Sequence, residues 1–456
     1  MNVFRAKAQK AGKRVAVVVH CRPVAKGCRM LWLYRLLFLP ALLVASPVYL
    51  RRMWRRGGYR GGFRQRFGGH PTLPSKHTGS RRIWLQAVSV GEMLAIAPIL
   101  EALRRDGHEV YLTTTTSTGF RIGNDRYLGL TLGIGYFPID WWWFSARAWS
   151  AINPDLVVLT EGERWPEHMR QAKNRGVPVI AINARLSDRS FGRMKTFSAF
   201  AHLMLDGITR LLPCSAHDEE RFRELGVPAE KIFTTGNIKL DVNIPLLGEA
   251  ERAQLRRELG LPAGLVLLGS STWPGECEAL LAALRLTRER GVRCSLLVVP
   301  RHAERRVEIE RLLQKAGLKY HFRSRGLAAG EVDVVVGDTT GELRKLAQLA
   351  DLVFVGKSLP PHTEGQTPVE AAALEKPIVF GPGMGNFQMI ARDLVARGAA
   401  RQVAGANELA DEVQGLMRDA ARREALAAAA AQWHRDNAGA VARTLDVIRA
   451  ELRRRD

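Results

Sequence analysis

The sequence predicts an α/β fold: two Rossmann-like domains facing a central cleft, with an N-terminal membrane-associated segment. Three observations predict it. Apolar strand patterns alternate with helical ones, as in a parallel sheet covered on both faces. The alternation runs through two successive series of similar size. An apolar stretch bounded by arginines precedes both. At 456 residues and 46% hydrophobic content the chain is long enough for two cores.

Residues 1–29 carry eight basic side chains and no acidic one, and form a basic N-terminal extension. Residues 30–56 read as a membrane anchor. From Met30 to Leu50 the only charge is Arg35, and Pro40 and Pro47 lie inside the stretch. Its uncharged part, 36–50, is 15 residues long, short of the roughly 20 that cross a bilayer. Arg51, Arg52, Arg55, Arg56 and Arg60 follow, with Trp54 and Tyr59 among them. Charge on both sides and no small-residue cleavage site speak against a secretory signal peptide. The segment is expected at the cytoplasmic face of the inner membrane, with its arginines on anionic lipid head groups. The alternative is an ordinary helix packed on the first domain.

The first domain spans 57–240, with strands expected at 83–88, 109–114, 156–159, 177–182 and 211–213. The polar helical stretch 241–264 reads as a linker. The second domain, 265–430, has strands expected at 265–270, 295–300, 333–337, 352–356 and 377–381. A C-terminal helix, 431–456, completes the chain.

The formal charge of +23 calls for an anionic partner, nucleic acid or an anionic membrane. The arginines gather near the start and no nucleic-acid motif is present, which favours the membrane, so no nucleic-acid partner is expected. Five cysteines, Cys21, Cys28, Cys214, Cys277 and Cys294, form no Cys-x-x-Cys pair. A disulfide framework or a zinc site is therefore not expected. No Gly-x-Gly-x-x-Gly opens either series and no Walker loop occurs, which disfavours a dinucleotide cofactor. No histidine pair has metal-ligand spacing, so neither metal nor cofactor is expected.

Glu92 sits in Val88-Ser89-Val90-Gly91-Glu92, where an expected strand gives way to an amphipathic helix. Open α/β sheets bind ligands at that edge. A carboxylate there is either a general base or a first-turn acid that suits the helix dipole. Further stretches are Thr113-Thr114-Thr115-Thr116-Ser117-Thr118-Gly119, Glu161-Gly162-Glu163-Arg164-Trp165-Pro166 and Asn183-Ala184-Arg185-Leu186-Ser187. Then come Thr235-Gly236-Asn237-Ile238-Lys239-Leu240-Asp241 and Val299-Pro300-Arg301-His302. The last are Val336-Gly337-Asp338-Thr339-Thr340-Gly341-Glu342-Leu343 and Thr367-Pro368-Val369-Glu370-Ala371-Ala372.

In order and spacing these stretches resemble the 3-deoxy-D-manno-octulosonic acid (Kdo) transferases of lipopolysaccharide assembly, from about residue 30 to the C-terminus. The resemblance implies a GT-B glycosyltransferase that moves Kdo from CMP-Kdo to a lipid A precursor, lipid IVA, with inversion at the anomeric carbon. It implies Glu92 as general base and Glu161 as a carboxylate stabilising an oxocarbenium-like transition state. Glu163, two residues on, is the alternative. Lys239 would offset charge on the departing CMP or on the Kdo carboxylate. For the CMP donor the resemblance implies Pro300, Arg301, Thr339, Thr340, Gly341, Glu342, Thr367, Pro368, Val369 and Glu370. Arg301 suits phosphate or carboxylate, and Glu370 would bind ribose hydroxyls.

The donor side departs from the family pattern. Gly356-Lys357-Ser358-Leu359 stands where the family has roughly Gly-Gly-Ser-Leu, and Thr367 replaces an asparagine. Trp273-Pro274 replaces a His-Glu pair. Lys357 either substitutes a charge for backbone contacts to a phosphate or marks a changed donor. A GT-B enzyme using another nucleotide sugar, such as a UDP-sugar, is therefore the second reading. A non-catalytic lipid- or nucleic-acid-binding protein is the third, and the retained Glu92, Glu161, Lys239 and Arg301 argue against it.

Overall fold

The structure, a computed structural model, describes residues 24–56 and 61–454. Most of the basic extension, 1–23, lies outside the described residues, as do Tyr59 and Arg60. The chain forms two compact units: one runs to Thr234 and takes back 447–456, and the other is Thr235–Asp446.

The first unit is built on a six-stranded parallel sheet. Its strands are β1 Arg82–Gln86, β2 Glu109–Thr114, β3 Gly133–Tyr136, β4 Leu156–Thr160, β5 Val179–Ala184 and β6 Arg210–Pro213. Their spatial order is β3-β2-β1-β4-β5-β6, so the winding reverses between β1 and β4. β1 is buried from end to end, as continuous apolar runs in parallel sheets are. On one face Trp84 packs edge-on to Trp149, with ring centroids 5.4 Å apart.

The second unit carries β7 Leu265–Thr272, β8 Cys294–Pro300, β9 Tyr320–Phe322, β10 Val334–Val336, β11 Leu352–Val355, β12 Ile378–Phe380 and β13 Ala400–Gln402. The order is β13-β12-β11-β7-β8-β10-β9, again parallel, with its reversal between β7 and β11. The stretch 241–264 contains the helix Glu249–Glu258, and Leu255, Leu259 and Leu261 are buried in this unit's core. That stretch is thus packed structure as well as connection.

The N-terminal apolar stretch is one continuous helix, Val24–Arg56, with both prolines inside it. Pro47 has no N–H for the Leu43 carbonyl, and the Ser46 hydroxyl donates there instead, at 2.8 Å. Arg35 forms a bidentate ion pair with Glu167, whose side chain is fully buried. Removing one partner of a buried pair strands the other charge. Arg35→Gln should lower unfolding free energy by about 3 kcal/mol, the low end because Arg35 keeps some water contact. Denaturant unfolding in detergent should also show the double variant Arg35→Gln/Glu167→Gln less destabilised than Arg35→Gln alone.

His70 is buried and its Nε2 bonds the Tyr136 carbonyl at 2.9 Å. Burial pushes its imidazole from 6.5 down to about 4, against the backbone hydrogen bonds that favour the charged form. The folded value lies below the unfolded one. The contribution is therefore intact above pH 6.5 and is lost as pH falls towards 4, by roughly 3 kcal/mol. His70→Gln should flatten that acid limb in melting temperature against pH.

Candidate active site

In the first unit the site is built at the carboxyl ends of β1 and β4, where the strand order reverses. Such a switch point opens a crevice between neighbouring loops. The turn after β1 enters the helix Val90–Ala95 through a capping box. The Glu92 N–H donates to Ser89 Oγ at 3.2 Å, and the Ser89 hydroxyl donates back to the Glu92 carboxylate at 2.8 Å. The Val88 N–H donates to the same carboxylate at 3.0 Å, and the Ser89 N–H at 3.3 Å. From β4, the Thr160 hydroxyl donates to Glu92 as well. Glu92 is thus both the first-turn acid and a carboxylate aimed at the switch point, only 6% exposed.

The threonine run after β2 holds this turn. Thr114 and Thr116 donate to the Val88 carbonyl at 3.2 and 2.9 Å. Thr116 also caps the next helix through the Gly119 N–H. A Cβ on Gly119 would meet Thr114 Oγ1 at 2.5 Å, so the motif closes on a residue without a side chain.

Glu161 directly follows β4 in the left-handed backbone region, φ +49°. An L-residue with a side chain pays for that conformation. Asn183, φ +52°, donates to its carboxylate at 3.4 Å, and Arg185 lies 3.6 Å away. The Asn183-Ala184-Arg185 motif therefore positions Glu161. Glu163 feels the Glu92 charge: burial raises its pKa most, Trp165 donating at 3.0 Å opposes the shift, and the Glu92 charge adds a smaller rise. Of the two open candidates on this loop, Glu163 is electrically coupled to Glu92 and Glu161 is conformationally strained.

Lys239 lies in the second unit, in a turn tied to the last helix. Asp241 accepts the Gly439 and Val441 N–H groups at 3.0 and 2.7 Å, and Arg443 donates to the Thr235 carbonyl at 2.9 Å. Arg301 follows β8 and is exposed; its N–H donates to the Thr272 carbonyl at 3.2 Å. Pro300 is that strand's last residue.

The stretch Gly337 to Glu342 leads into a single helical turn, Leu343–Leu346, rather than a full helix. Gly341 takes φ +89°, and the Thr339 hydroxyl donates to Glu342. Pro368 precedes another short helix, Val369–Ala373, with Thr367 Oγ1 accepting the Val369 N–H at 3.3 Å. Arg344 reaches Glu370 at 2.8 Å, so these two donor stretches meet. Glu370 is thereby ion-paired.

The N–H groups of the divergent turn converge on a side chain. The N–H groups of Lys357, Ser358 and Leu359 all donate to the buried Glu276 carboxylate, at 2.9, 2.9 and 3.2 Å, and the Trp273 N–H joins them at 2.8 Å. Lys357 has φ +57°, the conformation for which glycine is the ordinary residue. Its ammonium rests 4.1 Å over the Trp273 ring and 3.3 Å from Glu364. The two substitutions thus complement each other. Sequence reasoning assigned no role to Thr160, Asn183, Arg185 or Glu276. Asn183 and Arg185 stood in a stretch that carries the resemblance, Glu276 was visible as an acid at a helix start just past a strand, and Thr160 gave no signal. Among the described residues, no three His, Cys, Asp or Glu side chains gather as a metal site requires.

A family described as 3-deoxy-D-manno-octulosonic-acid transferase matches residues 61–242. The 3-deoxy-D-manno-octulosonic acid transferase of Bordetella pertussis is 33% identical over 425 residues, covering 90% of this chain and 97% of its own. That of Haemophilus influenzae is 31% identical, covering 92% and 96%. Among solved structures, a putative UDP-N-acetylglucosamine 2-epimerase from Listeria monocytogenes superposes with a TM-score of 0.53 at 14% identity, covering 83% and 98%. A glycosyltransferase from Rickettsia africae gives 0.51 at 13%, covering 82% and 99%. The structural matches speak to fold alone and place the two sheets in the GT-B class.

Proposed function

The chain belongs to the 3-deoxy-D-manno-octulosonic acid transferase family, and from that premise we propose that it takes Kdo from CMP-Kdo and passes it to a lipid A precursor, lipid IVA. Family membership makes the chain a glycosyltransferase that transfers Kdo in lipopolysaccharide biosynthesis. The donor nucleotide, the acceptor, the residue roles and a site at the cytoplasmic face of the inner membrane are the proposed part.

The reaction follows from the residues. Glu92 takes the proton of the acceptor's sugar hydroxyl as that oxygen bonds the anomeric carbon of Kdo. The bond from that carbon to the CMP phosphate oxygen breaks with its electron pair, so CMP leaves as the anion and the anomeric centre inverts. Positive charge builds on the sugar ring as this bond lengthens, which a carboxylate at Glu161 or Glu163 would favour. Lys239 and Arg301 would offset the charge on CMP. No metal or cofactor is called on. The observation that carries this reading is Glu92, saturated with donors at the switch point.

The test is incubation of purified protein with a tetraacylated lipid A precursor and freshly generated CMP-Kdo, followed by mass analysis of the lipid. A gain of one or more Kdo units supports the proposal, and no gain from folded protein sinks it. Lys357 and Trp273 motivate the second reading, a UDP-sugar donor. Calorimetric binding of CMP against UDP separates the two.

Glu163→Gln removes a negative charge that Glu92 feels. A carboxylate relieved of a like charge holds its proton less tightly. The acid limb of kcat/KM against pH should therefore move to lower pH in this variant; an unmoved limb would mean that Glu163 does not act on the base.

A further inference from the structure

We infer that the N-terminal helix does not cross the bilayer but lies in its plane, seated lengthwise on the first unit, with its outer face in the lipid. By length and composition alone, Arg29–Arg51 would qualify as a span. Its contacts say otherwise. Leu31 is buried. The Tyr34 hydroxyl donates to Asp140 at 2.7 Å, and Arg35 pairs with Glu167. The Phe38 ring stacks on Trp141 at 6.4 Å, and Tyr34 meets Phe200 at 5.9 Å. Near the other end of the apolar stretch, Arg66 donates to the Tyr49 hydroxyl at 2.9 Å.

Residues 31, 34, 35 and 38 lie within two turns of one helix face, and Tyr49, eleven residues on, is about three turns further along the same face. Tyr34 and Tyr49 are 15 residues apart, about 22 Å along a helix. Both are tied to the same folded unit. A helix crossing the hydrocarbon core would put roughly 30 Å of apolar material between its flanks. One whose two ends hold a single water-soluble sheet domain cannot separate those ends by a membrane. Arg35, the one charge within the stretch, is also accounted for: it faces the protein and not the lipid.

The opposite face is a continuous apolar surface. Leu36, Leu37, Leu43, Val44 and Val48 are each more than half exposed. Trp32 and Trp54 stand exposed near the two ends, as ring side chains do at a bilayer interface. The exposed arginines that follow, Arg51 and Arg55, complement an anionic head-group layer, which favours lipid over a second copy of this chain as the occupant. A lipid-borne acceptor would then diffuse in the plane to which this unit is fastened.

The inference rests on the membrane reading above, and its test tells the two apart. Cys21, Cys28 and Cys214 are replaced by serine, the buried Cys277 and Cys294 are kept, and either Arg29→Cys or Trp54→Cys is added to the full chain. A membrane-impermeant maleimide is applied to intact spheroplasts and to inverted membrane vesicles from expressing cells. The in-plane helix predicts both cysteines labelled on inverted vesicles and neither on spheroplasts. One cysteine labelled in each preparation would overturn it. Protein absent from the membrane fraction would instead refute the membrane reading itself. Leu43→Glu/Val44→Glu on the outer face should weaken sedimentation with phosphatidylethanolamine–phosphatidylglycerol vesicles at least tenfold. Unchanged sedimentation, or a self-association that this double variant abolishes, would assign the face to something other than lipid.

Discussion

Glu92→Gln is expected to lower kcat by roughly 10²–10⁴-fold, the range general-base catalysis supplies. The substitution is close to isosteric. Its amide oxygen can still accept the Val88 N–H and the Thr160 hydroxyl, and the Glu92 N–H keeps its bond to Ser89 Oγ, while the Ser89 N–H loses its acceptor; the turn should persist, somewhat weakened. What it removes is a basic site for the acceptor's proton. CMP affinity should stay within about twofold, since the donor stretches belong to the second unit. Rapid-quench transfer assays and CMP calorimetry on one preparation separate the effects. A fully active variant would dismiss Glu92 as the base; lost CMP binding would make it a structural residue.

Glu276→Ala is expected to cost at least about 4 kcal/mol of unfolding free energy. Four backbone N–H groups, from Trp273, Lys357, Ser358 and Leu359, lose their acceptor together. Each orphaned donor in a buried turn costs about 1–3 kcal/mol. Glu276→Gln keeps one acceptor oxygen and trades charge for a dipole, so it should lose less than half as much. Denaturant unfolding of the full chain measures both. If Glu276→Ala were as stable as the parent, the turn would not depend on this carboxylate.

Both sites were partly legible in the sequence, and for different reasons. All ten expected strands are present: nine are interior strands, buried on both faces and legible as unbroken apolar runs, and the tenth, β6, lies at an edge but keeps a buried Leu211-Leu212-Pro213 run. β3, β9 and β13 were missed. Each is an edge strand of three or four residues, and β3 alternates two glycines with Ile134 and Tyr136, too little pattern to register. Glu92 was found because a carboxylate between a strand and a helix is a local signal. Thr160 was not, since it becomes Glu92's partner only through the pairing of β1 with β4, which are far apart in sequence. Lys357 was visible as a misfit; that its amide serves Glu276 required the loop's path. The apolar composition of the N-terminal helix was plain, but which face it turns inward depends on Asp140 and Glu167, more than a hundred residues away.

The return of the chain to the first unit at Val447 has a consequence for how the molecule is made. Glu451 pairs with Arg210 at 3.2 Å, and Arg449 with Asp106 at 2.7 Å, so these closing residues are bonded parts of that unit. The second unit is contiguous and can finish folding as it leaves the ribosome. The first is not contiguous: its sheet is finished at Pro213, but Arg449 and Glu451 are made only after the whole second unit, so the ion pairs with Asp106 and Arg210 are the last of its contacts to close.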